Sequence, residues 1–185
     1  MSVLGMVEFH SIATGIHASD AMVKAAPVDM FESRPISPGR YMSLVTGEVA
    51  AVEASVATGV QDAGAGAIVE SFVLANLHEL VLPVLRGKAG AAEIESVGVI
   101  ETSSAASIVL AADAACKASS VLLVQLHLAN HIGGKGYTVF SGTIADVEAS
   151  VEAACAAAGA LLIKCVAIPN PDADFQRHLR KEIQW

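Results

Sequence analysis

Aromatic residues make up only 4% of this 185-residue sequence. That scarcity excludes a core built on large flat side chains; the apolar bulk is Ala, Val, Ile and Leu, which bring elements into close contact. Basic residues are also few, 11 Lys and Arg against 19 Asp and Glu, for a net charge of −8. A nucleic-acid partner needs a basic footprint, so none is expected. Long apolar runs are missing too. Hydrophobic content is 54% and mean hydropathy +0.56, yet no run approaches the ~18 to 20 apolar residues of a membrane span. The surplus apolar surface is therefore expected in subunit contacts, with no membrane partner. No N-terminal basic segment leads into an apolar stretch, so the cytoplasm is the expected compartment. The three cysteines show neither CxxC nor CxxxC spacing, which leaves no case for zinc or a cluster within the chain, and no metal or cofactor is expected.

What the sequence does contain is a repeat. GEVAAVEAS, Gly47 to Ser55, returns as GTIADVEAS, Gly142 to Ser150. GMVEFHSIA (5–13) matches GVIETSSAA (98–106), and SDAMVKAA (19–26) matches ADAACKAS (112–119). Glu8 and Glu101 mark an offset of 93, Gly47 and Gly142 an offset of 95, so the second copy carries two extra residues between these blocks. The chain is a tandem duplication, divided into residues 1–90 and 91–185, each just long enough to bury its own core.

Each copy reads as alternating strand and helix. In the first, MVEFHSI predicts a strand, HASDAMVKAAP a helix stopped at Pro27, VDMFESRPI a strand, SPG a turn and RYMSLVT a strand. EVAAVEASVATG predicts a helix with Val49, Val52, Val56 and Val60 on one stripe, matched in the second copy by Ile144, Val147, Val151 and Cys155. AIVESFVLAN is a fourth strand, and LHELVLPVLRG a short closing helix before the linker around Gly87 to Ala92. The order βαββαβ predicts an α+β fold of two tandem ferredoxin-like domains, with helices on one face of an antiparallel sheet.

The alignment places Cys155 opposite Val60 and Cys116 opposite Val23, so both read as buried small hydrophobes; Cys165 falls in the strand LLIKCVAI. His10, His17, His78, His127 and His178 form no constellation with Ser or Asp at fixed spacing. No paired carboxylates, nucleophile with base, or phosphate-cradling glycine loop ahead of a helix is visible, and no catalysis is expected. DFQRHLRKEIQW puts Phe175, Leu179 and Ile183 four apart, an amphipathic helix expected on its own domain.

The DAMVKAA-like helix, the small-residue turn before the third strand, and G-[DE]-V-A-A-V-E-A-S, each in both copies, resemble the bacterial microcompartment shell domain in its tandem form, over nearly the whole chain. The likeness is strongest to trimeric tandem-domain members related to the iron–sulfur shell protein of the propanediol-utilisation microcompartment. The resemblance implies a structural shell protein of a bacterial microcompartment, working as a homotrimer whose six domains mimic a hexamer. It also implies edge-to-edge contact with other shell proteins, a pore on the axis for small polar metabolites, and encapsulated enzymes as candidate partners. Duplication lets a pore present two loops alternately while the outline stays hexagonal.

On that resemblance the pore is lined by Ser37, Pro38 and Gly39 from the first copy and Ile132, Gly133 and Gly134 from the second, with the amides of Ser37, Gly39, Gly133 and Gly134 facing the solute. Read without the family, SPG and GGKG are simply tight turns. Iron–sulfur relatives carry a cluster cysteine where this chain has Ser37; a hydroxyl is a poor iron ligand, and Gly136 offers no thiol either. His131 adjoins the second loop, as an exposed loop histidine or as one of a threefold ring. Lys24 and Lys117, each four residues after an aspartate, read as i,i+4 ion pairs. The resemblance places them, with Asn76 and Asn170, at the tile edge. Two other readings stay open: an electron-conducting iron–sulfur shell protein, and a ferredoxin-like small-molecule-binding regulator or enzyme.

Overall fold

The computed structural model describes residues 2–88 and 94–179. The chain falls into two compact units, Met1–Leu77 with Ala129–Gly134, and His78–Leu128 with Lys135–Trp185. The first unit contains β1 (Ser2–Phe9), α1 (Ile12–Ala25), β2 (Asp29–Ile36), β3 (Arg40–Thr46), α2 (Val49–Ala63) and β4 (Ile68–Leu77). The second contains α3 (Val81–Leu85), β5 (Ser96–Thr102), α4 (Ala105–Ala118), β6 (Leu122–Leu128), β7 (Gly136–Gly142), α5 (Ile144–Ala158), β8 (Leu162–Pro169) and α6 (Ala173–Leu179). Each unit holds one four-stranded sheet, ordered β2-β3-β1-β4 and β6-β7-β5-β8. Both are antiparallel throughout, as a βαββαβ chain with two crossover helices requires.

RYMSLVT is β3 to the residue. The first helix departs from the sequence reading, starting at Ile12 instead of near His17, because the Ser11 hydroxyl accepts from Thr14 N at 3.4 Å and caps it there. The first strand shifts correspondingly toward the N-terminus, to Ser2–Phe9. On α2 the expected stripe is only partly inward: Val52 and Val56 are buried and Val60 packs against them, while Val49 at the first turn is exposed. The same holds on α5, where Val147 is buried and Ile144 exposed. The amphipathic face at the C-terminus is described as far as Leu179; Ile183 and the part of the linker from residue 89 to 92 lie outside the described residues.

The two cores are filled by exchanged volumes. Gly15 on α1 faces Tyr41 on β3, so closely that a Cβ at Gly15 would lie 2.5 Å from the Tyr41 Cβ. At the matching positions of the second unit stand Ile108 and Gly136, and a Cβ at Gly136 would lie 2.3 Å from the Ile108 Cγ2. Each contact thus has one large and one absent side chain, with the assignment reversed between copies. Between the helices, Gly59 makes room for Met22 in the first unit, where the second has Ala154 and Ala115, both fully buried.

Ser150 on α5 donates its hydroxyl to Ala115 O at 2.9 Å. Its counterpart on α2, Ser55, is equally buried, and its Oγ has no partner among the described residues. A buried hydroxyl without a partner costs free energy, whereas one that is bonded stabilises. Ser55→Ala is therefore expected to be neutral or to stabilise, and Ser150→Ala to cost about 1 kcal/mol. Urea midpoints of the two variants read the difference in sign directly.

Candidate functional site

The two turns singled out in the sequence are brought together. Ser37, Pro38 and Gly39 join β2 to β3, and residues 129–135 join β6 to β7. Ser37 N donates to Ala129 O at 3.2 Å, and the Ser37 Oγ accepts from His131 N at 3.1 Å. Arg34, at the end of β2, donates to the Asn130 Oδ1. Burial lowers the Arg34 pKa from its ordinary value, opposed by the charge of Glu32 3.2 Å away. The second turn is wound by left-handed residues: φ is 55° at Ala129, 57° at His131, 67° at Gly133 and 84° at Gly134. Gly134 also approaches so closely that a Cβ there would lie 2.9 Å from the Pro38 Cδ and 3.1 Å from Ser37 O. Pro38, Gly39, His131 and Gly133 are exposed, Ser37 and Ile132 half-buried, and Gly134 buried.

One detail of the sequence reading is corrected. The amides of Ser37 and Gly39 do not face outward: the first is spent on Ala129 O, and the second donates to Ile36 O at 3.0 Å. The Ser37 hydroxyl accepts from His131 N and keeps its own proton to donate. Gly136 is no part of the turn, being the buried first residue of β7.

Both turns are anchored by an ion pair that the sequence contained in plain view. Glu8 and Glu101, the residues that fix the repeat offset, lie near the ends of β1 and β5. Arg40 Nη1 lies 2.8 Å from the Glu8 Oε1, and Lys135 Nζ 2.7 Å from the Glu101 Oε1. Each base is the residue immediately after its Gly-containing turn, so the pair ties the turn to the central strand of its sheet. The repeated acid and base were the signal; a register between strands was needed to join them.

The expected edge residues Lys24, Lys117, Asn76 and Asn170 are all exposed. Their ion pairs are unequal. Lys24 and Asp20 pair at 2.5 Å on an open surface. Lys117 pairs with Asp113 at 2.5 Å, but Asp113 is buried and also accepts from His78 N at 2.8 Å. Asp113→Ala is expected to cost about 2 kcal/mol by leaving the half-buried His78 amide without this acceptor, and Asp20→Ala no more than about 0.5 kcal/mol. Thermal melts of both variants against the parent chain check the ratio.

No thiol stands on either turn, so a thiolate-held cluster does not fit the turn residues. The Cys116 thiol is pushed up to about 12 by burial and by the charge of Asp113. Cys155 on α5 is likewise pushed up to about 12, by burial and by its hydrogen bond with Cys165 on β8. These are inert thiols at neutral pH. The neighbourhood of Cys155 and Cys165 was not legible from their spacing, because it depends on how α5 crosses the sheet. Among the described residues, no group of three or more His, Cys, Asp or Glu could hold a metal ion, and no helix is long and apolar enough to cross a membrane.

Two sheets of the same strand order, each with a pair of crossover helices and each closing one turn of a joined pair, define a tandem-domain α+β protein. The family is the BMC domain, whose model matches residues 3–77 and again 96–171; the chain belongs to it, twice over. Over 178 residues it is 41% identical to the bacterial microcompartment shell protein PduT of Citrobacter freundii, covering 95% of this chain and 96% of that one. It is 39% identical over 83 residues to the shell protein EutM of Escherichia coli K12, covering 45% of this chain and 80% of EutM, as a single-domain relative would. Among solved structures, a microcompartment protein from Desulfitobacterium hafniense superposes with a TM-score of 0.85 at 41% identity, covering 96% of this chain and 99% of the other. A fused permuted hexameric shell protein of the RMM microcompartment superposes with a TM-score of 0.67 at 25% identity, covering 86% and 85%. Three of these four relatives are microcompartment shell proteins, and the chain shares their family and fold.

Proposed function

We propose that three copies close into a pseudohexameric tile of a bacterial microcompartment shell in the cytoplasm, lying edge to edge with other shell proteins and enclosing a pore for small polar metabolites. The observation that carries this reading is the meeting of the two turns through Ser37 and His131 N. In a threefold ring, that pair repeats as one alternating circle of loops around the axis. The Ser37 hydroxyls then supply three donors to a passing solute, while exposed Pro38, Gly39 and Gly133 keep the lining small. The role is structural and permeative, with no reaction assigned to any residue.

Lys24 and Lys117 at the rim lay their methylene stems against the neighbouring tile, beside Asn76 and Asn170. Small terms at every edge add up over a sheet. Electron microscopy of overexpressed protein tests the reading: sheets, tubes or shells are expected, and Lys24→Glu with Lys117→Glu should leave discrete particles of unchanged mass. Dispersed particles from the parent chain, alone and with co-expressed shell proteins, would refute it.

A further inference from the structure

The internal repeat runs past the sheet. The offset of 94 that matches Asn76 with Asn170 also matches Val81 of α3 with Phe175 of α6, and Leu85-Arg86 with Leu179-Arg180. The two segments are not in the same situation. In the second unit α3 is seated on α4 and β6: His78 N reaches the Asp113 carboxylate at 2.8 Å, and Val81 is fully buried. Phe175, the counterpart of Val81, is 46% exposed.

The seat has a counterpart as well. By strand register, Met30 opposite Val45 matches Leu123 opposite Phe140. Leu123 is 2% exposed and Met30 36%. Asp20 occupies the place of Asp113, and it lies open on the surface, paired with Lys24 at its Oδ2. On α1, Ile16 matches Val109 of α4; their exposures are 54% and 0%. The first unit therefore exposes Ile16 of α1 and Met30 of β2, with Asp20 one turn along α1 from Ile16, at the positions whose twins lie on the elements that hold α3. At the far end of the chain, the twin of α3 presents an uncovered phenylalanine. Leu179, one turn on, is held by its own unit, where its carbonyl accepts from the Gln125 Nε2 at 2.6 Å and its side chain packs with Val124 and Val139.

We infer that α6 of one copy docks on the surface formed by α1 and β2 of a second copy, with Phe175 packing near Met30 and Asp20 in the way that α3 packs on β6 and α4 of the second unit. The contact is heterologous, a tail surface on one copy meeting a head surface on the next, so it propagates until a rotation closes it. The inference rests on the trimeric tile only for the number of copies that complete the ring. Burial of one phenylalanine and its apolar seat at the centre of such a contact is the kind of feature that dominates association.

The test places p-benzoylphenylalanine at position 175, a near-conservative photocrosslinker, in a mixture of isotopically light and heavy chains. Irradiation is expected to yield a covalent species of two chain masses, with mixed-isotope peptides joining α6 to the stretch 12–34. Phe175→Asp is expected to weaken self-association at least about tenfold in a dilution series followed by light scattering. If light scattering gives a trimer but the crosslinks stay within one chain or land elsewhere on the second, the docking is wrong and the tile survives. A parent chain that is monomeric throughout overturns both.

Discussion

Gly15→Ile is expected to destabilise the first unit by about 3 kcal/mol, the upper end of overpacking costs, and pairing it with Tyr41→Gly is expected to recover part of that loss. A Cβ at Gly15 already meets the Tyr41 Cβ at 2.5 Å, an atom next to the backbone that no rotamer change can withdraw. An isoleucine adds three more carbons into that contact. Tyr41→Gly alone empties the same space, at a cost of about 3 to 5 kcal/mol for a large buried ring, and loses the 2.9 Å bond between Ser33 and the Tyr41 hydroxyl. The double variant writes Ile108 and Gly136 into the first unit. It should be more stable than either single variant, the hallmark of strong coupling between contacting residues. A double-mutant cycle from urea unfolding checks this; additive losses would show that the two copies do not share this packing logic.

The second large effect is at the turn anchors, where the two copies should differ. Arg40→Met removes the cation 2.8 Å from a Glu8 carboxylate that has no solvent exposure, and about 3 kcal/mol is expected, the low end for breaking a buried pair because the arginine itself is partly open. Lys135→Met breaks a pair that is 49% and 34% exposed, and less than about 1 kcal/mol is expected. Thermal unfolding of the two variants side by side measures the contrast. Equal losses would mean that burial does not set the strength of these anchors.

How far the sequence carried the fold can be judged from particular residues. β3 was legible to the residue because Arg40–Thr46 is a short run rich in apolar residues behind a Pro-Gly turn, and Tyr41–Val45 is buried on both faces. The start of α1 was hidden by Gly15, which lowers helix propensity locally yet is required by Tyr41 across the core. The two turns were legible as loops, but not the bond between Ser37 and His131, 94 positions apart, since nothing local encodes it. Asp20 and Asp113 read alike as i,i+4 partners. Only the arrival of His78 at Asp113 distinguishes a surface pair from a buried one, and that depends on where α3 comes to rest. Repetition revealed the architecture; the differences between the copies needed three dimensions.

The most direct measurement is cryo-electron microscopy of the purified particle, at a resolution that places side chains. A plate of three chains with a hexagonal outline is expected, with Ser37 and Gly133 of each chain facing a central threefold opening. A lone chain or a twofold dimer, with Ser37 remote from any symmetry axis, contradicts it.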